Sequence, residues 1–536
     1  MMKKLNKIYL PLFFAIVLVA GMILGKALNN YPHQSYAHVY QAEGKLGRII
    51  DYIETRYVDT ISRSTLEESA IPALLEELDP HSIYIPAKEM KHVNEDMRGN
   101  FEGIGVVFNH QTDTAIIISV ITGGPSDKVG VLPGDRIIKV NDSLIAGQHI
   151  SSNDVVGMLK GEKGTKVKVS LQRKNVPDLI DVEITRDEIP LYSVDVSYMI
   201  DDEIGYIRIN RFSETTYDEF LEGVKKLKKQ GLKKLIVDLR GNTGGYMIAA
   251  TSIVDQFLDA GKMIVYTQGK SSPRQEIYST SKGECKDMDM VVLQDEFSAS
   301  ASEILAGAIQ DNDRGTIIGR RSFGKGLVQE QYPLSDGSVI RLTIARYYTP
   351  TGRSIQKPYG EDKDDYYNDL LERYHHGEFS EADSIHFADS LKYTTPGGNI
   401  VYGGGGIMPD VFVPLDTTGY TKYYSEAVRK GVLYNFAFEY VDNNRDYLSQ
   451  FKDAKSINDY LESINIFDQF VNYAEENGVP RTTKGFNHSK KLVNTQLKAN
   501  IARNIIDNDG YYPIIEQVDK TLKIAVKYLK GEKDTL

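Results

Sequence analysis

Leu235-Ile236-Val237-Asp238-Leu239-Arg240 runs directly into Gly241-Asn242-Thr243-Gly244-Gly245 and then into Tyr246-Met247-Ile248-Ala249-Ala250. The first stretch is an apolar run with β-branched residues and reads as a buried strand. The glycines read as a turn, and the apolar residues beyond them open a helix. A strand, a glycine-rich turn and a helix make a natural cradle for an anion. Glycine admits close backbone approach, so the N–H groups of such a turn can converge on an anion. An ordinary tight strand-to-helix turn has the same composition, and this segment alone does not decide between the two.

Working outward, Ser300-Ala301-Ser302-Glu303 precedes the apolar Ile304-Leu305-Ala306-Gly307-Ala308-Ile309, and 25 residues after Ser300 comes Lys325 within Phe323-Gly324-Lys325-Gly326. Ser300-x-x-Glu303 is a capping-box pattern, in which the hydroxyl and the carboxylate each satisfy an orphan N–H. It is equally a place for a nucleophile, because a helix N-terminus favours developing negative charge. Gly319 to Lys325 fits the first seven places of a phosphate-binding loop, but Gly326 stands where a Ser or Thr must hold magnesium. Leu327-Val328-Gln329-Glu330-Gln331-Tyr332 also reads as a strand where such a loop feeds a helix.

The ordered set Asp238 to Gly245, Ser298 to Ile304, Gly319 to Gln329 and Tyr347 to Gln356 resembles the carboxy-terminal processing peptidases, or tail-specific proteases, of the S41 serine peptidase family. The similarity extends from about Tyr52 to Pro414, with Leu78-Asp79-Pro80-His81-Ser82 upstream and Tyr402-Gly403-Gly404-Gly405-Gly406-Ile407-Met408-Pro409-Asp410 downstream. The resemblance implies Ser300 as nucleophile in preference to Ser298 or Ser302, Lys325 as general base, and Gln329 as the residue that orients the lysine. It implies an oxyanion hole from the N–H groups of Ala301 and Gly245, with Gly244 as the alternative if the register of the turn shifts by one. Thr243 departs from the glycine or proline that many members carry there.

The chemistry these residues would perform comes from their types. A lysine near its ordinary pKa of about 10.4 is protonated at neutral pH and cannot accept a serine proton. Burial disfavours the ammonium, and a substrate closing over the site removes further water. Neutral Lys325 would take the proton of Ser300 as Oγ attacks a peptide carbonyl, two N–H groups would hold the oxyanion, and the lysinium would protonate the leaving amine. No cofactor or metal is called for.

Gly103-Ile104-Gly105-Val106, Gly124-Pro125-Ser126 and Gly134-Asp135-Arg136-Ile137 occur in that order between residues 96 and 187 and look like a PDZ domain. The resemblance implies Gly103, Ile104, Gly105 and Val106 as a loop that captures the C-terminal carboxylate of a peptide, with Asn153 to Leu159 as the helix beside its groove. A neighbouring strand edge would pair with the peptide.

A net charge of −11 argues against nucleic acid, which calls for a basic face. Lys3, Lys4 and Lys7 precede a largely apolar run from Ile8 to Leu24, the pattern of an export signal. Cleavage and retention as a membrane anchor both stay open, and positive residues ahead of the run place the rest of the chain outside the cytoplasm. The lone Cys285 excludes an internal disulfide, and nothing around it suggests a nucleophile. None of the 10 histidines forms a His-Glu-x-x-His pair, and His81 reads as a turn cap. Glu361 to Lys392 reads as a charged surface insertion. Beyond Pro414 apolar residues recur at three and four spacing over Tyr423 to Phe451, Ile466 to Asn477 and Ser489 to Lys530, which predicts helices.

The expected architecture is multidomain α/β: a signal or anchor over 1–28, a helical region over 29–95, a PDZ-like β domain over 96–187, a crotonase-like ββα serine peptidase core over 188–420 carrying the insertion at about 360–395, and a helical region over 421–536. The expected activity is that of a periplasmic or otherwise extracytoplasmic endopeptidase whose partners are proteins bound by their C-termini, with contact to the inner membrane if the leader is kept. A homodimer stays open. One rival is a catalytically silent PDZ scaffold, which has no use for a lysine beside a serine. Another is an acyl-thioester hydratase of the crotonase type, which would want acidic acid/base residues and no PDZ domain.

Overall fold

The computed structural model describes residues 15–24, 44–111, 113–360, 363–385 and 388–532. It divides into two units, Met1–Leu78 and Asp79–Leu536. In the first, residues 15–24 are helical. Helices Lys45–Arg56 and Arg63–Glu76 come next; Ser62 caps the second, and Arg63 bonds Asp51 at 2.5 Å and Glu67 at 2.9 Å. Most of the expected leader, residues 1–14 and 25–28, lies outside the described residues. Among those described, no helix is long and apolar enough to cross a membrane.

The second unit is built on a six-stranded sheet in the order Val194–Met199, Ile204–Ile209, Lys234–Asp238, Asp289–Gln294, Thr316–Gly319, Val411–Phe412. The first pair is antiparallel and the others are parallel. Parallel strands are covered on both faces, which is why Leu235-Ile236-Val237 reads as a continuous apolar run. Leu235 and Val237 face a core formed with Thr216–Lys228, Met247–Asp255 and Ala301–Asp311. Ile236 points the other way, into a cluster with Leu522, Ala525 and Leu529 of the terminal helix Lys520–Leu529. Burying a side chain of this size contributes about 1.5–3 kcal/mol, so Lys520–Leu529 is a layer of this core.

A second sheet carries the lysine segment. Leu327–Pro333 pairs with Val339–Tyr348, which also pairs with Met263–Gln268 and with Ile83–Ile85. The sequence groups Asp79 to Glu95 with a helical N-terminal stretch; in the structure Ile83–Ile85 is a strand of this sheet and only Ala87–Arg98 is helical. Alternation over three residues is too short to register as a strand without its partner more than 250 residues away.

Residues 106–185 form a separate β core of Val106–Gln111, Thr114–Val120, Arg136–Val140, Lys166–Gln172 and Ile180–Thr185, with the helix Ser152–Leu159 packed on it. The chain enters and leaves it through one antiparallel ribbon, Asn100–Gly103 against Asp187–Pro190. Further polar contacts hold it: Lys160 to Glu95 at 2.6 Å, Arg136 to Asp442 at 3.1 Å, and Lys174 to Asn443 at 2.8 Å. Asp442 lies on Val432–Leu448, one of six helices, Lys422–Arg429 through Asn508–Ile515, that enclose their own apolar core.

Candidate active site

Ser300 stands at the N-cap of Ala301–Asp311 with φ 58 and ψ −114, a backbone region that costs a non-glycine residue about 1–3 kcal/mol. The surroundings hold it there. Glu303, fully buried, accepts the Ser300 N–H at 2.8 Å. The same carboxylate accepts from Ser322 Oγ at 2.5 Å, from the Gly324 N–H at 2.7 Å and from the Lys325 N–H at 2.8 Å. Burial pushes the Glu303 carboxyl upward, and those four donors oppose it. Tyr347, from the strand Val339–Tyr348, reaches the carbonyls of Ser300 at 2.9 Å and of Lys325 at 2.5 Å with its hydroxyl. The capping-box reading of Glu303 is therefore half of its role; the other half is to bind the lysine loop.

Lys325 is largely buried, and burial, aided by the Arg341 guanidinium, holds its ammonium below the usual lysine range. Its Nζ donates to Gln329 Oε1 at 3.3 Å. Gln329 Nε2 donates in turn to the carbonyl of His81. His81 does not cap the turn: Asp79 does, accepting from the N–H groups of His81 and Ser82 at 2.9 and 3.1 Å. The His81 ring instead reaches Tyr366, with Nε2 2.6 Å from Oη. Burial, and next the charge of Lys325, push the imidazole down to about 4, so it is neutral at neutral pH.

The glycine turn meets the serine from the other side. A Cβ on Gly244 would lie 2.7 Å from Ser300 Cβ and 3.0 Å from the Ala301 nitrogen, so only glycine permits this approach. Asn242, fully buried, joins the two turns: its carbonyl accepts from Ala299 N–H at 3.0 Å and Ser302 Oγ at 2.9 Å, and its Oδ1 accepts the Gly244 N–H at 2.8 Å. The Gly244 N–H is thus occupied. Among the described residues, the N–H groups of Gly245 and Ala301 go to no other protein group.

Ser298 and Ser302 are both buried and engaged, Ser298 Oγ with the Leu239 carbonyl at 2.9 Å and Ser302 with Asn242. Cys285 is buried, and burial raises its thiol. In the β domain, Gly103 ends one strand of the entry ribbon, Ile104 is buried, Gly105 has φ 74, and Val106 begins the strand that pairs with Thr114–Val120. The structure mounts Ser300 and Lys325 on one carboxylate, bonds Lys325 to Gln329, and sets Gly244 against Ser300 and Ala301 with Gly245 next in the same turn; Gly103 to Val106 lie apart from these, in the β domain. Tyr366 carries no motif of its own, and Asn242 and Tyr347, each inside a motif, join it in completing the site through contacts distant in sequence.

One buried carboxylate thus holds a strained serine and the loop of a largely buried lysine in an α/β core, with a β domain ahead of it. Residues 203–364 match the model of peptidase family S41, residues 103–184 that of the PDZ domain, and residues 423–507 a family of unknown function. A carboxy-terminal-processing protease of Bartonella bacilliformis is 36% identical over 350 residues, 64% of this chain and 80% of that protein. The carboxy-terminal processing protease CtpA of Bacillus subtilis is 35% identical over 359 residues, 67% of this chain and 76% of that protein. A solved photosystem II D1 C-terminal processing protease shares 24% identity over 68% of this chain and 86% of its own, with a TM-score of 0.34. The chain belongs to peptidase family S41, with the carboxy-terminal processing proteases, and is a serine-type peptidase carrying a PDZ domain.

Proposed function

We propose that the protein is an endopeptidase that works with a Ser300–Lys325 dyad, engages exported or envelope proteins by their C-termini through the PDZ loop Gly103 to Val106, and acts outside the cytoplasm. The observation that carries the dyad is the Lys325 amine: it is largely buried, bonded to Gln329, and mounted on the same carboxylate as Ser300. Burial favours the neutral amine that a base must be. Lys325 accepts the Ser300 proton as Oγ adds to the scissile carbonyl. The uncommitted N–H groups of Gly245 and Ala301 receive the oxyanion, and the lysinium then gives its proton to the leaving amine. Water reverses the sequence on the acyl-enzyme.

The experiment is cleavage of an unfolded protein by the pure chain and its variants. Ser300→Ala and Lys325→Ala each should lower the rate by orders of magnitude, and the double variant should be little worse, because the two act as one unit. Lys325→Arg should also fail, since a guanidinium stays protonated. Ser298→Ala and Ser302→Ala should keep activity and lose about 1–3 kcal/mol of stability, because each leaves buried groups without a partner. Full proteolysis by Ser300→Ala removes the proposal.

A further inference from the structure

We propose that the helix Lys363–His375 is a working part of the catalytic site, with Tyr366 as the positioning residue that, through His81, holds Gln329 in the orientation Lys325 needs. The proposal rests on Lys325 being the general base. In sequence this helix belongs to a charged stretch that reads as a surface insertion, and Tyr366 lies beyond residue 364, where the peptidase family match ends.

The contacts run opposite to a surface role. Tyr366 and Arg373 are each only 4% exposed. Arg373 donates to the carbonyls of Arg321 at 2.8 Å and Ser322 at 3.2 Å, the residues that lead into Gly324 and Lys325. Lys357 ties the helix down through Asp369 at 2.9 Å and lies 4.1 Å from the ring centre of Tyr366 and 4.2 Å from that of Phe323. The Tyr366 ring meets the His81 ring edge-on at 5.4 Å.

The chemical consequence concerns one amide. Gln329 has a single acceptor oxygen and a donor nitrogen. With Nε2 committed to the His81 carbonyl, Oε1 must face Lys325 Nζ. Rotating the amide would set Oε1 against the His81 carbonyl, acceptor against acceptor, and would turn Nε2 toward the lone pair that a neutral Lys325 needs. Whatever places the His81 carbonyl therefore sets the polarity of the group that orients the lysine, and the bond from the His81 ring to Tyr366 anchors that residue from the far side. The charged and titratable groups facing His81 are Tyr366, Lys325, Asp79 and Lys357; those facing Lys325 are Arg341, Glu303, Asp79 and His81.

The test is steady-state cleavage of an unfolded protein from about pH 6 to about pH 10 by the full chain, Tyr366→Phe, His81→Ala, the double variant and Leu371→Ala, with Lys325→Ala alongside. Tyr366→Phe keeps the ring and removes only the hydroxyl. It should lower kcat by about tenfold with KM little changed, and should move the rate profile to higher pH as Gln329 loosens and water reaches Lys325. His81→Ala should fall by a similar factor, and the double variant should fall little further. Leu371, on the exposed face of the same helix, should tolerate alanine. A Tyr366→Phe enzyme with the parent kcat and pH profile, or losses that simply multiply in the double variant, overturns the proposal while Lys325→Ala remains inactive. An active Lys325→Ala enzyme would instead remove the dyad beneath it.

Discussion

Ser300 and Lys325 deliver their backbone N–H groups to one and the same oxygen, Oε2 of Glu303, at 2.8 Å each. Their carbonyls share a second group, the Tyr347 hydroxyl. The two residues are thus registered main chain to main chain by two buried side chains, and the separation of their reactive atoms does not depend on a direct bond between them. Such a frame supplies the orientation that converts binding into rate.

Glu303→Gln should break that frame. An amide must replace one of two oxygens, each of which accepts from two donors, so two bonds to a charged group are lost and donors are set against donors. Activity should fall by about a hundredfold or more and stability by about 3 kcal/mol. Parallel urea unfolding and kinetics read both; unchanged kinetics would show that Glu303 is only a helix cap.

Asn242→Ala should act on the oxyanion side. It removes the acceptor of the Gly244 N–H and the donor to the Ile209 carbonyl at 2.9 Å, freeing the turn that aims Gly245. The expected result is a kcat lower by about a hundredfold with KM nearly kept, the signature of a contact made in the transition state. A loss confined to KM would place Asn242 in substrate binding.

Activity and stability should respond to pH in different ranges. The rate should climb with pH through an inflection below the ordinary lysine value, because burial favours neutral Lys325. Stability should decline into acid. His81 titrates near 4 when folded against 6.5 in its ordinary state, so the unfolded chain binds the extra proton. Its contribution, about 3 kcal/mol, is present in full above 6.5 and is lost as pH falls toward 4. Urea midpoints of the Ser300→Ala protein, with and without His81→Gln, check this; equal acid slopes would contradict it.

Amidating the C-terminus of a substrate should raise KM by about tenfold, since a neutral amide forfeits charge-assisted bonds to the loop Gly103 to Val106. Equal cleavage of acid and amide forms would detach that loop from recognition and leave the dyad untouched.

The features legible in the sequence are local ones. A parallel strand buried on both faces must be apolar throughout, and a turn that lets Gly244 lie against Ser300 must be glycine, so Leu235 to Gly245 announces itself. The spacing of serines around Ser300 is visible too. The supports are not, because each is a long-range contact between single side chains. Tyr366 meets His81 across 285 residues, and one inward tyrosine in a charged helix leaves no period to detect. Glu303 looks complete as a cap, so nothing in its neighbourhood suggests further partners. Lys520–Leu529 shows its apolar face but not that the face belongs to the catalytic sheet.

The strain at Ser300 also bears on the order in which the site can assemble. Its backbone at φ 58 is held partly by near neighbours, Glu303 in the next turn and Asn242 upstream, and partly by segments synthesised later: Tyr347 on its carbonyl, and Gly324 and Lys325 on the Glu303 carboxylate. A chain that ends before residue 322 keeps the Glu303 cap and the Asn242 link, but its Glu303 carboxylate lacks three of its four donors. The frame of the serine is therefore complete only when the carboxyl-terminal half has closed on it.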